Sequence, residues 1–124
     1  MTTSWSVSMS VTLYWFMDVP DDLTPYDAVE VHPVGMWELV DRNDVVVNAE
    51  IEIVDESTIG TDPNAIYFWS VYLHFDPRKS NKRGISCVAD CRTKAEAYGF
   101  AEELETRLRD VIGDALIPMR GAAA

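Results

Sequence analysis

Carboxylates are the side chains in this sequence best placed to do chemistry, and Glu50 and Glu52 are the pair whose spacing says most. They alternate with Ala49, Ile51 and Ile53, so the run reads as a strand with one polar and one apolar face. Residues two apart in a strand share a face and lie about 6.8 Å apart, close to the phosphate spacing along one nucleic-acid strand. Asp41, Asp44, Asp55 and Glu56 extend the row at its two ends. Such a row suits a basic protein surface and can compete there with nucleic acid.

The other reactive residue types are few. The histidines are His32, before Pro33 in a connector, and His74, near a strand end. Cys87 and Cys91 stand four apart in a strand, roughly 13 Å between Cα atoms, too far for a bridge. They are expected on one face with Ile85 and Ala89, as small buried apolar side chains. Their C-x3-C spacing differs from a zinc-type C-x2-C, and Asp41–Asp44 lacks the spaced ligands of an EF-hand. No nucleophile elbow, Walker A loop, H-E-x-x-H or dinucleotide fingerprint occurs. The remaining enzymatic reading is a carboxylate pair such as Glu38 with Glu50. We expect no enzyme activity and no cofactor.

Charge is distributed unevenly. Up to Asp76 there are 14 acidic residues and one basic residue, Arg42, a balance of −13. From Pro77 onward there are 7 acidic and 9 basic residues, a balance of +2, which leaves the net −11. The negative surplus therefore belongs to the early strands and their loops. One reading is a solubilising surface; the sharper one is a surface that meets a basic partner. The same repulsion disfavours direct contact of the acidic portion with nucleic acid.

The elements that must position these residues follow from periodicity. Ala65–Asp76, dense in aromatic and β-branched residues, predicts a central strand buried on both faces. Trp5–Phe16 alternates apolar residues with serine and threonine, as a half-buried strand does. Asp18–Pro33 contains three prolines and reads as a connector. Val34–Val40 and Val45–Val54 predict a hairpin turning through Asp41–Asp44, with Val45, Val47, Ala49, Ile51 and Ile53 facing in. Asp55–Asn64 is a loop, Pro77–Gly84 a basic hairpin tip, and Ile85–Cys91 a returning strand. Thr93-Lys94-Ala95-Glu96 is a capping box that opens a helix. Ala97, Ala101, Leu104, Leu108 and Val111 form its apolar stripe, and Gly113 stops it.

The fold class expected is α+β: about five antiparallel strands, mostly a meander, with one C-terminal helix on one face. The helix is expected to cover Trp5, Val7, Val47, Ile51, Trp69 and Leu73. At 124 residues the chain makes one domain over residues 1–120, with 121–124 a frayed tail or cloning scar. No apolar run reaches membrane-span length and the start lacks a signal-type pattern, so a cytoplasmic protein is expected.

A small, acidic sheet-plus-helix chain of this character resembles inhibitors encoded by phages and mobile elements, anti-CRISPR proteins against type I surveillance complexes among them. The ending Cys91–Leu104 looks like the strand-to-capped-helix ending of small phage proteins. The resemblance implies stoichiometric binding to Cas subunits of a surveillance complex in the host cytoplasm, without a cofactor, and interference with DNA binding. It is one of general character and carries over no family residue. The runner-up is a phage-encoded structural or adaptor protein that pairs through a sheet edge or exposed aromatics.

Overall fold

A computed structural model describes residues 14–121. The strands are β1 (Tyr14–Met17), β2 (Tyr26–Val40), β3 (Val46–Ile53), β4 (Ala65–Phe75), β5 (Ile85–Cys91) and β6 (Arg120–Gly121). The helix α1 spans Lys94–Ile112. The sheet runs in the order β1-β5-β4-β2-β3, all antiparallel, and β6 adds a short parallel pairing to β2. The α+β class is as expected, and β4 is the central strand. Much of the Trp5–Phe16 strand, Trp5 and Val7 included, lies outside the described residues.

The order departs from a meander in two places. The chain crosses from β3 past β2 to reach β4, and β1 lies on the far edge beside β5. Only β2–β3 and β4–β5 are sequential hairpins.

The expected connector Asp18–Pro33 is strand from Tyr26 onward. Pro33 is tolerated there because of where its missing N–H points. Its carbonyl accepts from Val54 N–H at 3.0 Å, just where the β3 ladder ends. Proline thus removes a donor at the end of one ladder and leaves the β4 ladder intact. On the same side of β2, Asp27 O accepts from Ile117 N–H at 2.8 Å, and β6 pairs with Glu30 and Val31. The C-terminal segment packs back on the body through Leu116 and Met119, and β6 takes in Gly121, one residue into the anticipated tail.

One face of the sheet holds the core. Ala97, Phe100, Ala101, Leu104 and Leu108 of α1 are fully buried against Val29, Val31, Val71, Leu73, Val88 and Ala89. Thr93 caps the helix by accepting from Glu96 N–H at 3.2 Å. The reciprocal arm of the capping box is not formed, since Glu96 Oε1 is buried without a partner. Gly113, at φ 58°, ends the helix as expected.

The helix lies over β2, β4 and β5, so it covers Trp69 and Leu73 but not β3. Every residue of β3 is exposed, which overturns the inward placement of Val45, Val47, Ala49, Ile51 and Ile53. Residues 50–53 run along the sheet edge, beyond the reach of α1; for the outer part of β3 the cause is register. β4 begins opposite Trp37, whereas the β2–β3 ladder continues to Val40 and Val46. Residues 38–49 therefore project beyond the body as a two-stranded arm.

The cysteines also part from expectation. Val71 pairs with Ala89 but Tyr72 with Cys87, so Val88 is the extra residue of a bulge. That insertion reverses the alternation. Cys91 is buried on the helix face, while the half-buried Cys87 lies on the opposite face.

Candidate functional site

Register assigns the acidic residues to faces. Glu50 pairs with Trp37 and Glu52 with Gly35, and these β2 residues pair in turn with Ala65 and Tyr67. Both glutamates thus lie on the helix face of the sheet, beyond the region that α1 covers. Both are exposed, and neither has an ion-pair or hydrogen-bond partner among the described residues. Glu38 pairs with Ala49 and faces the other way, so a catalytic Glu38–Glu50 pair is not assembled.

A hollow of about 410 Å³ opens where the arm meets the body, lined by Trp37, Glu52, Asp55, Thr58, Asp62 and Tyr67 among others. Trp37 Nε1–H donates to Asp62 Oδ2 at 2.8 Å. Asp62 Oδ1 accepts from Asn64 N–H at 2.9 Å, and Asp62 N–H donates to the Tyr67 hydroxyl at 3.3 Å. The indole donor, and then the Asn64 amide, hold the Asp62 carboxyl below the usual carboxylate range. Trp37 and Tyr67 meet edge to face, centroids 6.3 Å apart.

The six expected residues divide. Glu52 and Asp55 line this hollow, and Glu50 continues the row outward along β3. Asp55 spends one oxygen on capping the turn Glu56–Thr58, accepting from Ser57 N–H at 3.1 Å. Glu56 leaves the row: it meets Lys94 Nζ at 3.0 Å, beside Trp69, whose ring lies under the same ammonium at 5.6 Å. Asp41 and Asp44 sit at the arm's tip. Asp41 Oδ1 accepts from Asn43 and Val45 N–H groups, and Asp44 takes the left-handed conformation at φ 60° that closes the turn.

Sequence reasoning missed Trp37, Asp62 and Tyr67. The available signal was Gly35 two residues before Trp37: a side chain at Gly35 would occupy the place of the indole ring.

The opposite face carries a second hollow, about 300 Å³, lined by Phe16, Ile51, Phe68, Tyr72 and Cys87, with Ser70 donating to Asp90 at 2.6 Å. Burial, then the nearby Asp90 charge, pushes the Cys87 thiol up to about 12; burial and neighbouring Cys87 do the same for Tyr72. Neither group is an activated nucleophile near neutral pH. His32 Nε2 lies 2.8 Å from Glu30 Oε1, and His74 Nδ1 lies 2.7 Å from the buried Asp27. Among the described residues no three His, Cys, Asp or Glu side chains gather to hold a metal ion. No described helix is long and apolar enough to cross a membrane.

β3 presents the unpaired carboxylates Glu50 and Glu52 on one face, Ile51 and Ile53 on the other, and an edge that pairs with no further strand among the described residues. Comparison with family models, with characterised proteins and with solved structures returned no match.

Proposed function

We propose that the chain is a non-enzymatic inhibitor that places the carboxylate face of its β2–β3 edge on a basic, nucleic-acid-binding surface of a larger nucleoprotein complex. An anti-CRISPR protein would act in this way against a type I surveillance complex. The observation that carries the reading is the pair Glu50 and Glu52, exposed and unpaired on one face of the edge strand β3, at the base of the projecting arm. Charge-assisted pairs with lysine and arginine hold the partner, and the surplus of negative charge steers the encounter.

The apolar side of the arm favours the second reading. The paired Val40 and Val46, with Ile51 and Ile53, lie on the face opposite Glu50 and are all exposed there. A structural or adaptor protein would use that surface for assembly.

The test is a pull-down from host lysate with the native chain, followed by binding measurements on the recovered complex at two salt concentrations. Charge reversal in Glu50→Lys/Glu52→Lys should weaken binding and slow association, and nucleic acid should compete with the native chain. Reversal of Glu102 and Glu103 on α1 should do much less. Equal effects from the two pairs, or salt-independent binding without competition, would favour the adaptor.

A further inference from the structure

We infer that the open edge of β3 captures an extended segment of the partner as an added antiparallel strand, and that this segment alternates basic with apolar residues. The inference rests on the acidic-face reading and adds how the partner is held.

β3 is the last strand of the sheet, with no strand beyond it among the described residues. The direction of its backbone groups follows from the ladder. Val54 N–H donates to Pro33 O, so the pairs Gly35–Glu52 and Trp37–Glu50, at intervals of two, are those that exchange hydrogen bonds. The backbone groups of Glu50 and Glu52 therefore point towards β2, and those of Ala49, Ile51 and Ile53 point to the open side. Ala49 confirms the direction: its N–H turns from the ladder and donates to its neighbour Asn48 Oδ1 at 2.8 Å.

An added strand would bond its backbone to Ile51 and Ile53. Its residues opposite Glu50 and Glu52 would then occupy the positions where an antiparallel pair brings side chains closest. Lysine or arginine there makes a cross-strand charge pair. Residues opposite Ala49, Ile51 and Ile53 meet side chains that are now in water; Ile51 is 62% and Ile53 46% exposed. The edge thus reads a pattern of apolar, basic, apolar, basic, apolar. A second copy of this chain is a poorer occupant. Pairing β3 with β3 about a two-fold centred on Ile51 sets the glutamates of one copy against those of the other, and each copy carries a net −11.

The experiment uses the full chain and three capped synthetic peptides of equal composition in lysine and valine: strictly alternating, blocked, and alternating with N-methyl groups on the amides that would face β3. Binding is read from the backbone amide resonances of Ala49, Ile51 and Ile53 and their hydrogen exchange. The alternating peptide should bind tightest and protect Ile51 and Ile53, and N-methylation should weaken it by about tenfold, the loss of two backbone hydrogen bonds. Equal affinity for all three peptides overturns the edge capture while leaving the acidic face as a charge-reading surface. Absence of binding by any peptide overturns the capture too, and the acidic-face reading is then decided by the charge-reversal pull-down. A concentration-dependent dimer that protects the same amides without peptide would overturn it in favour of self-pairing.

Discussion

Gly35→Ala tests how the acidic hollow is built. A Cβ at residue 35 would lie 2.7 Å from Trp37 Cη2, 2.9 Å from Cζ3 and 3.3 Å from Tyr67 Cε1. Ordinary carbon contacts begin near 3.5 Å, so the indole must retreat by roughly 0.8 Å. It has little freedom to do so. Its Nε1–H is committed to Asp62 at 2.8 Å, and a retreat of that size stretches or breaks the bond. Overpacking of this kind costs about 1–3 kcal/mol, and each kcal/mol lowers the melting temperature of a domain this size by roughly 3–5 °C. Two NMR readouts accompany the melt. The Trp37 indole N–H resonance should move, and Asp62 should titrate higher, because its chief stabilising donor has withdrawn. A double-mutant cycle isolates the cause. In a Trp37→Ala background the clash is gone, so Gly35→Ala should be neutral or slightly stabilising. An unchanged melt with the indole resonance in place, or an equal cost in both backgrounds, would refute the account.

Other outcomes follow from the same geometry. Thr93→Ala should lower stability by about 1 kcal/mol through loss of the bond to Glu96 N–H, and an unchanged unfolding midpoint would contradict the cap. Cys87 and Cys91 should form no intramolecular bridge and should react slowly with a thiol reagent at pH 8 until the chain unfolds, since burial holds each thiol at about 12; a mass two units lower after mild oxidation would contradict this. Asp76 has its side chain buried, and the Arg78 guanidinium, then the Arg78 N–H, hold its carboxyl below the usual range. A carboxyl lowered on folding stabilises above its unfolded pKa, and that contribution fades as pH falls through the folded value. Asp76→Asn should therefore destabilise more at pH 7 than at pH 3, as followed by chemical denaturation.

The legible parts of the fold were those set by local chemistry. The Thr93 cap, the stripe from Ala97 to Leu108 and the Gly113 stop each follow from neighbours within a few residues. So do the Asp41–Asp44 turn and the exposed placement of Glu50 and Glu52. The illegible parts depended on pairing between distant segments. Pro33 reads as a breaker until the end of β3 is placed beside it. The inward placement of Ile51 assumed that its face was the one under the helix, and alternation cannot say which face the helix takes, nor that β4 begins only opposite Trp37 and leaves Val47 without a body behind it. A single inserted residue, Val88, was enough to send Cys87 and Cys91 to opposite faces. The hollow around Asp62 needed Trp37 and Tyr67 brought together across two strands.

β2 supplies both halves of the molecule from one unbroken strand. Its first part, Tyr26 to Trp37, is locked between β4 and the segments along its other side. Its last residues are held by β3 alone. The projecting part contributes almost nothing to the interior, so most replacements there leave the folded body untouched. Selection can thus rewrite the exposed residues of the arm without risking collapse of the protein. An added two-residue step in each strand of the arm would keep every side chain on its present face while carrying the Asp41–Asp44 turn one repeat further from Glu50 and Glu52. Descendants of this chain could vary the length of the arm by such steps, with the helix and the strands beneath it kept as a fixed mount.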